Sequence, residues 1–361
     1  MKILHPTSVL VSCLMLTASA TAQISLTPPA AQTPPAASKP ADKPKAKPHA
    51  IVKKPAAPAA AAPPAATQVA PAATATPAPA PDDPNVDLVY GAYQRGMYKT
   101  AFDLAAKRVQ DKGDPKAMTM LGELYANAMG VKRDYAKAVD WYKRAADSGD
   151  REAMFALAMM RLEGRGGPAN REEAVKLLAS SAKLGNPKAA YNLALLYLDG
   201  QTLPQDLRRA AELFRIAADA GNPEAQYALA TFYKEGTGVP KDVDKAVRLL
   251  QAASLADNVD AEVEYAIALY NGTGTPKNEA AAVALLRKAA KQNSPIAQNR
   301  LAHVLVSGQG APMDKVEGLK WHIVAKTAGK GDPMLDEALA NLSPEDRAKA
   351  EAAARKWLGV K

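Results

Sequence analysis

Few residues in the sequence have the makings of reaction chemistry. After His49 the only histidines are His303 and His322, with Asp314 between them in sequence. Two imidazoles near a carboxylate are raw material for a metal site or a general base. Neither is completed by what surrounds it: the pair has no metal-ligand spacing and no third histidine follows. The single cysteine, Cys13, lies near the N-terminus, so an intrachain disulfide framework and a cysteine-based zinc or iron site are ruled out. The pairs Gly164-Arg165-Gly166, Gly236-Thr237-Gly238, Gly272-Thr273-Gly274 and Gly308-Gln309-Gly310 imitate a phosphate-cradling loop. Such a loop follows a strand and closes with Lys-Ser or Lys-Thr, whereas these follow helix-forming runs and no Gly-Lys-Ser or Gly-Lys-Thr occurs. No Gly-x-Ser-x-Gly elbow is present either. No catalytic residue, metal or cofactor is therefore expected.

The elements that must position these residues show a strict period. Ala117, Ala153, Ala189, Ala225, Ala261 and Ala297 are each 36 residues apart, without insertion. Four residues after each stands Leu121, Leu157, Leu193, Leu229, Tyr265 or Leu301. A small residue follows each time, Gly122, Ala158, Ala194, Ala230, Ala266 or Ala302, which lets two helices approach closely. Self-similarity at this period is the mark of a stacked repeat architecture. The hydrophobic fraction of 48% holds only 4 Phe and 3 Trp, so it consists mainly of helix-forming aliphatic residues and alanine.

Each copy breaks and restarts as helix ends require. The break falls at Ala128, Gly164, Gly200, Gly236, Gly272 and Gly308, where glycine takes a left-handed cap. Asp134, Asn170, Asp206, Asp242, Asn278 and Asp314 then cap a second helix, and Glu173 and Glu317 three residues on complete the pattern of a capping box. Ala138, Trp141, Ala145 and Ala146 give that second helix one apolar face. Gly149, Gly185 and Gly221 end it, and Asp150, Asn186, Asn222, Asn258 and Ser294 cap the next copy. Pro187, Pro223 and Pro295 follow at the first helical position.

The motifs Leu121-Gly122-x-x-Tyr125, Gly236-x-Gly238-Val239-Pro240, Lys137-Ala138-x-x-Trp141 and Ala145-Ala146-x-x-Gly149 resemble Sel1-like repeats, relatives of tetratricopeptide repeats. The resemblance covers about 114–331 and implies an all-α, right-handed α-solenoid of six helix pairs that binds other proteins. In related helical repeats the first helix of each pair lines the concave face. That would set Phe155, Tyr191 and Tyr227, each two residues after the repeat alanine, along one wall as a ladder of rings. An aromatic at this offset also packs ordinarily between neighbouring helices, and that is the favoured reading. Met159, Asn192, Leu195, Tyr270, Arg300 and His303 are further candidates for partner contact on the same helices.

The ends differ from the middle. Residues 85–113 read as a shorter tetratricopeptide-like hairpin around Tyr93, Gly96, Tyr98, Ala101 and Phe102, capping the array. After Gly329 the spacing slips, and 332–361 read as a C-terminal helical cap. Ser343-Pro344-Glu345-Asp346 starts its last helix, and Ala350, Ala354, Trp357 and Leu358 share one face.

Lys2, the apolar run Val9–Leu16 and Ala20-Thr21-Ala22 have the anatomy of an export signal over 1–22, cleaved before Gln23. Leu10-Val11-Ser12-Cys13 offers the competing reading of a lipid-anchored cysteine. Residues 23–84 hold sixteen prolines and six lysines without an aromatic, the composition of a disordered, extended tether. A plain spacer is the expected role, with weak contact between its lysines and an anionic polymer as the other. The net charge of +9 is concentrated early: seven Lys stand against Asp42, Asp82 and Asp83 in 1–84. From 85 onward 39 basic residues face 34 acidic ones, which argues against a nucleic-acid surface.

The architecture resembles exported Sel1-like proteins of proteobacteria, among them periplasmic regulators of exopolysaccharide synthesis. The expectation is a non-enzymatic periplasmic or secreted scaffold whose partner is an envelope protein or the periplasmic region of a membrane sensor. The alternative is a structural protein associated with peptidoglycan or another envelope polymer.

Overall fold

The computed structural model describes residues 87–360. The export signal, Cys13 and the Pro/Ala/Lys-rich segment 23–84 lie outside the described residues. Among those described there are sixteen helices and no strand. A leading pair, α1 (Leu88–Gln94) and α2 (Tyr98–Lys112), precedes six pairs. These are α3 (Pro115–Asn127) with α4 (Tyr135–Asp147), α5 (Arg151–Glu163) with α6 (Arg171–Lys183), and α7 (Pro187–Asp199) with α8 (Leu207–Asp219). They continue with α9 (Pro223–Glu235) and α10 (Val243–Leu255), α11 (Val259–Asn271) and α12 (Glu279–Lys291), and α13 (Pro295–Ser307) and α14 (Lys315–Thr327). Two further helices follow, α15 (Pro333–Ala340) and α16 (Pro344–Leu358). Consecutive helices pack on one another throughout the six pairs, which makes an α-solenoid of helix pairs.

The register follows from local chemistry. Every helix from α3 to α14 is capped by the Asp, Asn or Ser that precedes it, through a side-chain oxygen accepting a backbone N–H in the first turn. Each such cap stabilises its helix by about 1 kcal/mol. The first helices stop at Ala128, Gly164, Gly200, Gly236, Gly272 and Gly308, all with left-handed φ between 58° and 81°. Ala128 does so despite its Cβ, which opposes this conformation. The second helices turn at Gly149, Gly185 and Gly221 and, in the next two copies, at Asp257 and Asn293, the side chains that tolerate a positive φ best after glycine.

Of the capping boxes expected at Glu173 and Glu317 only one half forms: Asn170 and Asp314 accept the Glu N–H, but neither carboxylate returns to the N-cap N–H. The N–H groups they would satisfy are already taken: Asn170 donates to the Arg161 carbonyl at 2.8 Å and Asp314 to the Leu305 carbonyl at 2.9 Å. The same bond recurs from Asp134, Asp206, Asp242 and Asn278, each to the carbonyl nine residues earlier, so it ties the two helices of every pair together. The carboxylates bond to side chains instead, Glu173 accepting from Asn170 Nδ2 at 3.2 Å. Glu173 pairs with Arg161 at 2.9 Å, and Glu317 accepts from Trp321 Nε1 at 2.8 Å.

The small residue after each repeat leucine is buried in all six copies. At Gly122 the reason is direct, since a Cβ there would lie 2.7 Å from the Tyr142 ring. Ala138, Ala174, Ala210, Ala246, Ala282 and Gly318 do the same work on the second helices. Four residues after each, Tyr142, Leu178, Phe214, Leu250, Leu286 and His322 fill the interior, all buried. Phe214 meets Tyr191 at a ring distance of 5.7 Å and Phe232, edge-on, at 5.5 Å.

In the leading pair, Gly96 turns with φ +73° and Tyr93 lies edge-on to Tyr98 at 5.7 Å. At the other end α16 packs on α14, burying Ala350 and Ala354 and placing Trp357 5.0 Å from Trp321. Lys320 Nζ sits 4.2 Å from the Trp321 ring and 5.4 Å from that of Trp357. Leu358 and Trp357 remain 38% exposed, so only the two alanines of the expected apolar face are fully covered.

Candidate partner-binding face

The candidate residues lie on the first helices α5, α7, α9, α11 and α13. The N-caps and the 36-residue period place equivalent positions at equivalent points of each pair. Phe155, Tyr191 and Tyr227 are equivalent in this sense, yet they do not stack on one another. Tyr191 is buried and leans on Phe214 of its own pair. Phe155 and Leu195 pack, half-buried, against the same apolar cluster as Tyr191. Tyr227 packs against the following cluster, around Ala230, Ala246 and Leu250. The three rings are thus wedged between helices, the middle one nearly covered, as the favoured reading of an aromatic at this offset has it, and they form no free ladder.

Of the remaining candidates, Met159 is half-buried, and Asn192 donates from Nδ2 to the Lys188 carbonyl at 2.8 Å. Tyr270 turns away from the others. It is buried, its hydroxyl reaches the Gln309 carbonyl at 3.4 Å, and Lys277 Nζ lies 6.0 Å from its ring. Burial, then Glu279, pushes its phenol pKa up. It serves the loop after α13 rather than the face shared by Tyr191 and Tyr227.

Acidic residues that the sequence reading passed over complete this face. Burial, then Glu224 of the next pair, pushes the Tyr191 hydroxyl up to about 12. Tyr227 is raised further by burial and by Asp260, Glu264 and Glu235. Asp260 is exposed to solvent, yet surrounding protein and the neighbouring Glu264 raise its carboxyl pKa. Glu264 accepts from Lys234 Nζ at 3.1 Å. Arg300 is half-buried; burial pulls its guanidinium down while Asp332 and Glu264 act in the opposite sense. The face thus runs from the Tyr191 and Tyr227 rings through Asp260 and Glu264 to Arg300. Glu224 and Asp260 occupy the position just before the repeat alanine, which is Glu152, Lys188 and Ile296 in other copies. That variation was the available signal.

The two histidines do not meet Asp314, whose carboxylate caps α14 through the Glu317 N–H at 2.9 Å. Each pairs instead with an aspartate of the tail: His303 Nε2 lies 2.9 Å from Asp332 Oδ2 and His322 Nε2 2.8 Å from Asp336 Oδ1. Burial acts to raise Asp332, but the His303 bond and the N–H groups of Leu335 and Met334 outweigh it and hold the carboxyl low. Asp336 is held low by Lys326 first and by His322 second. His322 is fully buried in the interior slot that Tyr142, Leu178, Phe214, Leu250 and Leu286 fill elsewhere, and its Nδ1 has no hydrogen-bond partner among the described residues. These imidazoles fasten α15 to the sixth pair. Among the described residues no group of three or more His, Cys, Asp or Glu side chains is placed to hold a metal ion.

Glu262 is another feature invisible in the repeat pattern. It is fully buried and meets Lys288 Nζ at 2.7 Å, at the position where Gln226 and Gln298 donate to backbone carbonyls of the preceding helix.

Among solved structures, a Sel1 repeat protein from Oxalobacter formigenes is 27% identical with a TM-score of 0.59, over 66% of this chain and 98% of that one. The protective antigen c5321 of uropathogenic Escherichia coli, which displays an SLR fold, is 25% identical with a TM-score of 0.52, over 74% of this chain and 67% of that one. No curated protein sequence matches. The Sel1 repeat model matches 115–150, 151–186, 187–222, 223–258, 259–294 and 295–330, the six helix pairs in order, and the chain belongs to the Sel1 repeat family.

Proposed function

We propose that this chain is a non-enzymatic scaffold of the cell envelope that holds a protein partner on the first-helix face between Tyr191 and Arg300. Sel1 repeat proteins generally mediate protein–protein interaction. The observation that carries the reading for this chain is Asp260. Its carboxylate is exposed, yet the protein around it and Glu264 disfavour the charged form, so water solvates that charge less fully than on an open helix. A partner's cationic group gains most from such a charge, and the adjoining Tyr227 ring supplies apolar contact. The export signal read over 1–22 supports an exported, periplasmic location, and the partner is then an envelope protein such as the outward region of a membrane sensor.

The test is affinity purification from the envelope fraction with the full chain and with the triple variant Asp260→Asn, Glu264→Gln, Arg300→Gln. A stoichiometric membrane protein captured by the natural chain and lost by the variant supports the reading. Equal capture by both moves the site off this face. Co-sedimentation with sacculi in place of protein capture favours the polymer-associated role. Location is read separately by mass spectrometry of the native N-terminus: Gln23 is expected, and retention of Met1 overturns export.

A further inference from the structure

The third and fourth pairs enclose a cleft of about 610 Å³ between α8 and the loop that follows α9. Of its lining residues Ala211 and Leu229 are buried, while Arg208, Arg215 and the loop glycines Gly236 and Gly238 are exposed. Repetition shows why it is there. The position of Ala211 is Val139, Val175, Val247, Val283 or Leu319 in the other five pairs, so this copy alone lacks a branched side chain at that point. Its two flanking positions form a singular combination. Arg208 replaces Ala136, Glu172, Asp244, Ala280 or Val316, and Arg215 replaces Lys143, Ala179, Gln251, Arg287 or Ile323. No other pair sets two basic residues on either side of the position, and no other leaves it small.

The charges at the edge are incompletely used. Glu212, which also lines the cleft, meets Arg208 Nε at 3.8 Å and Arg209 Nη1 at 3.5 Å, both long contacts. Arg215 takes part in no ion pair among the described residues. Guanidinium forks bind carboxylates in bidentate fashion, and small-ligand clefts commonly measure about 300–1,000 Å³ with apolar walls and a few polar groups.

We propose that this cleft is a binding site for an organic carboxylate with an apolar body, its body over Ala211 and Leu229 and its charge between Arg208 and Arg215. The site is separate from the first-helix face, so it stands or falls independently of the envelope partner. A free aromatic acid and the C-terminal residue of a polypeptide share this chemistry.

Calorimetric titration of the full chain with 2-naphthoate, and with a short peptide ending in a free Phe carboxylate, distinguishes the two sources. The C-terminal amide of the peptide and 2-naphthamide are the neutral controls. At least one acid should bind, with its neutral control at least tenfold weaker. Ala211→Val restores the residue type of the sister pairs, so it should keep the fold and abolish binding. Arg208→Gln with Arg215→Gln should weaken binding tenfold or more, and Glu212→Gln should tighten it. Circular dichroism melting confirms that each variant is folded. The proposal is overturned if neither acid binds, if a neutral control binds as well as its acid, or if binding survives Ala211→Val unchanged.

Discussion

The interior slot on the second helices is filled by Phe214 in the third pair and by His322 in the sixth, both fully buried. In the third pair Phe214 meets Tyr191 of its own first helix and Phe232 of the repeat that follows, so an aromatic hydrocarbon satisfies the slot. In the sixth pair the next element is the short helix α15, which offers Asp336 to His322 as well as Asp332 to His303. A polar group survives burial when a partner reaches it. The same slot, at the same depth, therefore holds oily packing where a repeat follows and a hydrogen-bonded clasp where the array ends.

Deleting 332–361 should have the largest effect on this contrast, since it removes the clasp, α16 and the Trp357 ring from Trp321 together. Loss of a cooperative thermal transition or aggregation is expected, while deleting 23–84 should leave the melting curve unchanged. A cooperative transition retained without the tail would show that the sixth pair needs no cover. Next in size is Phe214→Ala, which empties the slot where three aromatic rings meet. It should cost about 3–5 kcal/mol in urea unfolding, as buried Phe truncations do.

The clasp itself is sharpened by a pair of variants. Asp336→Ala strands the buried His322 Nε2, and an unsatisfied buried polar atom costs about 1–3 kcal/mol. His322→Leu removes both ring nitrogens and installs the residue of three sister pairs, so it should lie within about 1 kcal/mol of the natural chain. A larger loss for His322→Leu than for Asp336→Ala would mean that the imidazole contributes more than its bond to Asp336. Acid adds a second view. The Asp336 carboxyl is held below its ordinary value in the folded chain, so its contribution is present above the ordinary carboxylate pKa and vanishes as pH falls through the lowered one. Hydrogen exchange in α15 should therefore rise on acidification over that window, and Asp336→Asn should flatten the response. The smallest effect belongs to Ala128→Gly. It relieves a left-handed alanine at the one first-helix stop without glycine, and should stabilise by roughly 0.5–1 kcal/mol.

How far the residues could be read in advance depends on what each one answers to. The helix stops at Gly164, Gly236 and Gly308 and the caps at Asp134 and Asn186 answer to the backbone within one turn, and they stand where the spacing put them. The small residues from Gly122 to Ala302 were legible because close helix approach recurs identically in every copy. The capping boxes were misread because a carbonyl from the partner helix reaches the N-cap N–H first, a competitor absent from any local window. On the candidate face, Tyr191 and Tyr270 were placed on the correct helices, but their direction depends on Phe214 and on the Gln309 loop. Asp260 and Glu264 were overlooked because an acid on a helix surface looks solvated until the next pair closes around it.

By itself the sequence determined the period, the all-helical class, the capped ends and the residues with no room for a side chain, because these are set by backbone geometry and by sterics repeated every 36 residues. Only the tertiary structure decided which partners meet: His322 with Asp336, His303 with Asp332, Tyr191 with Phe214, and the cleft that Ala211 opens between two arginines. Those pairings join different helices, and in a stacked array the identity of a side chain is local while its surroundings belong to the helices packed against it.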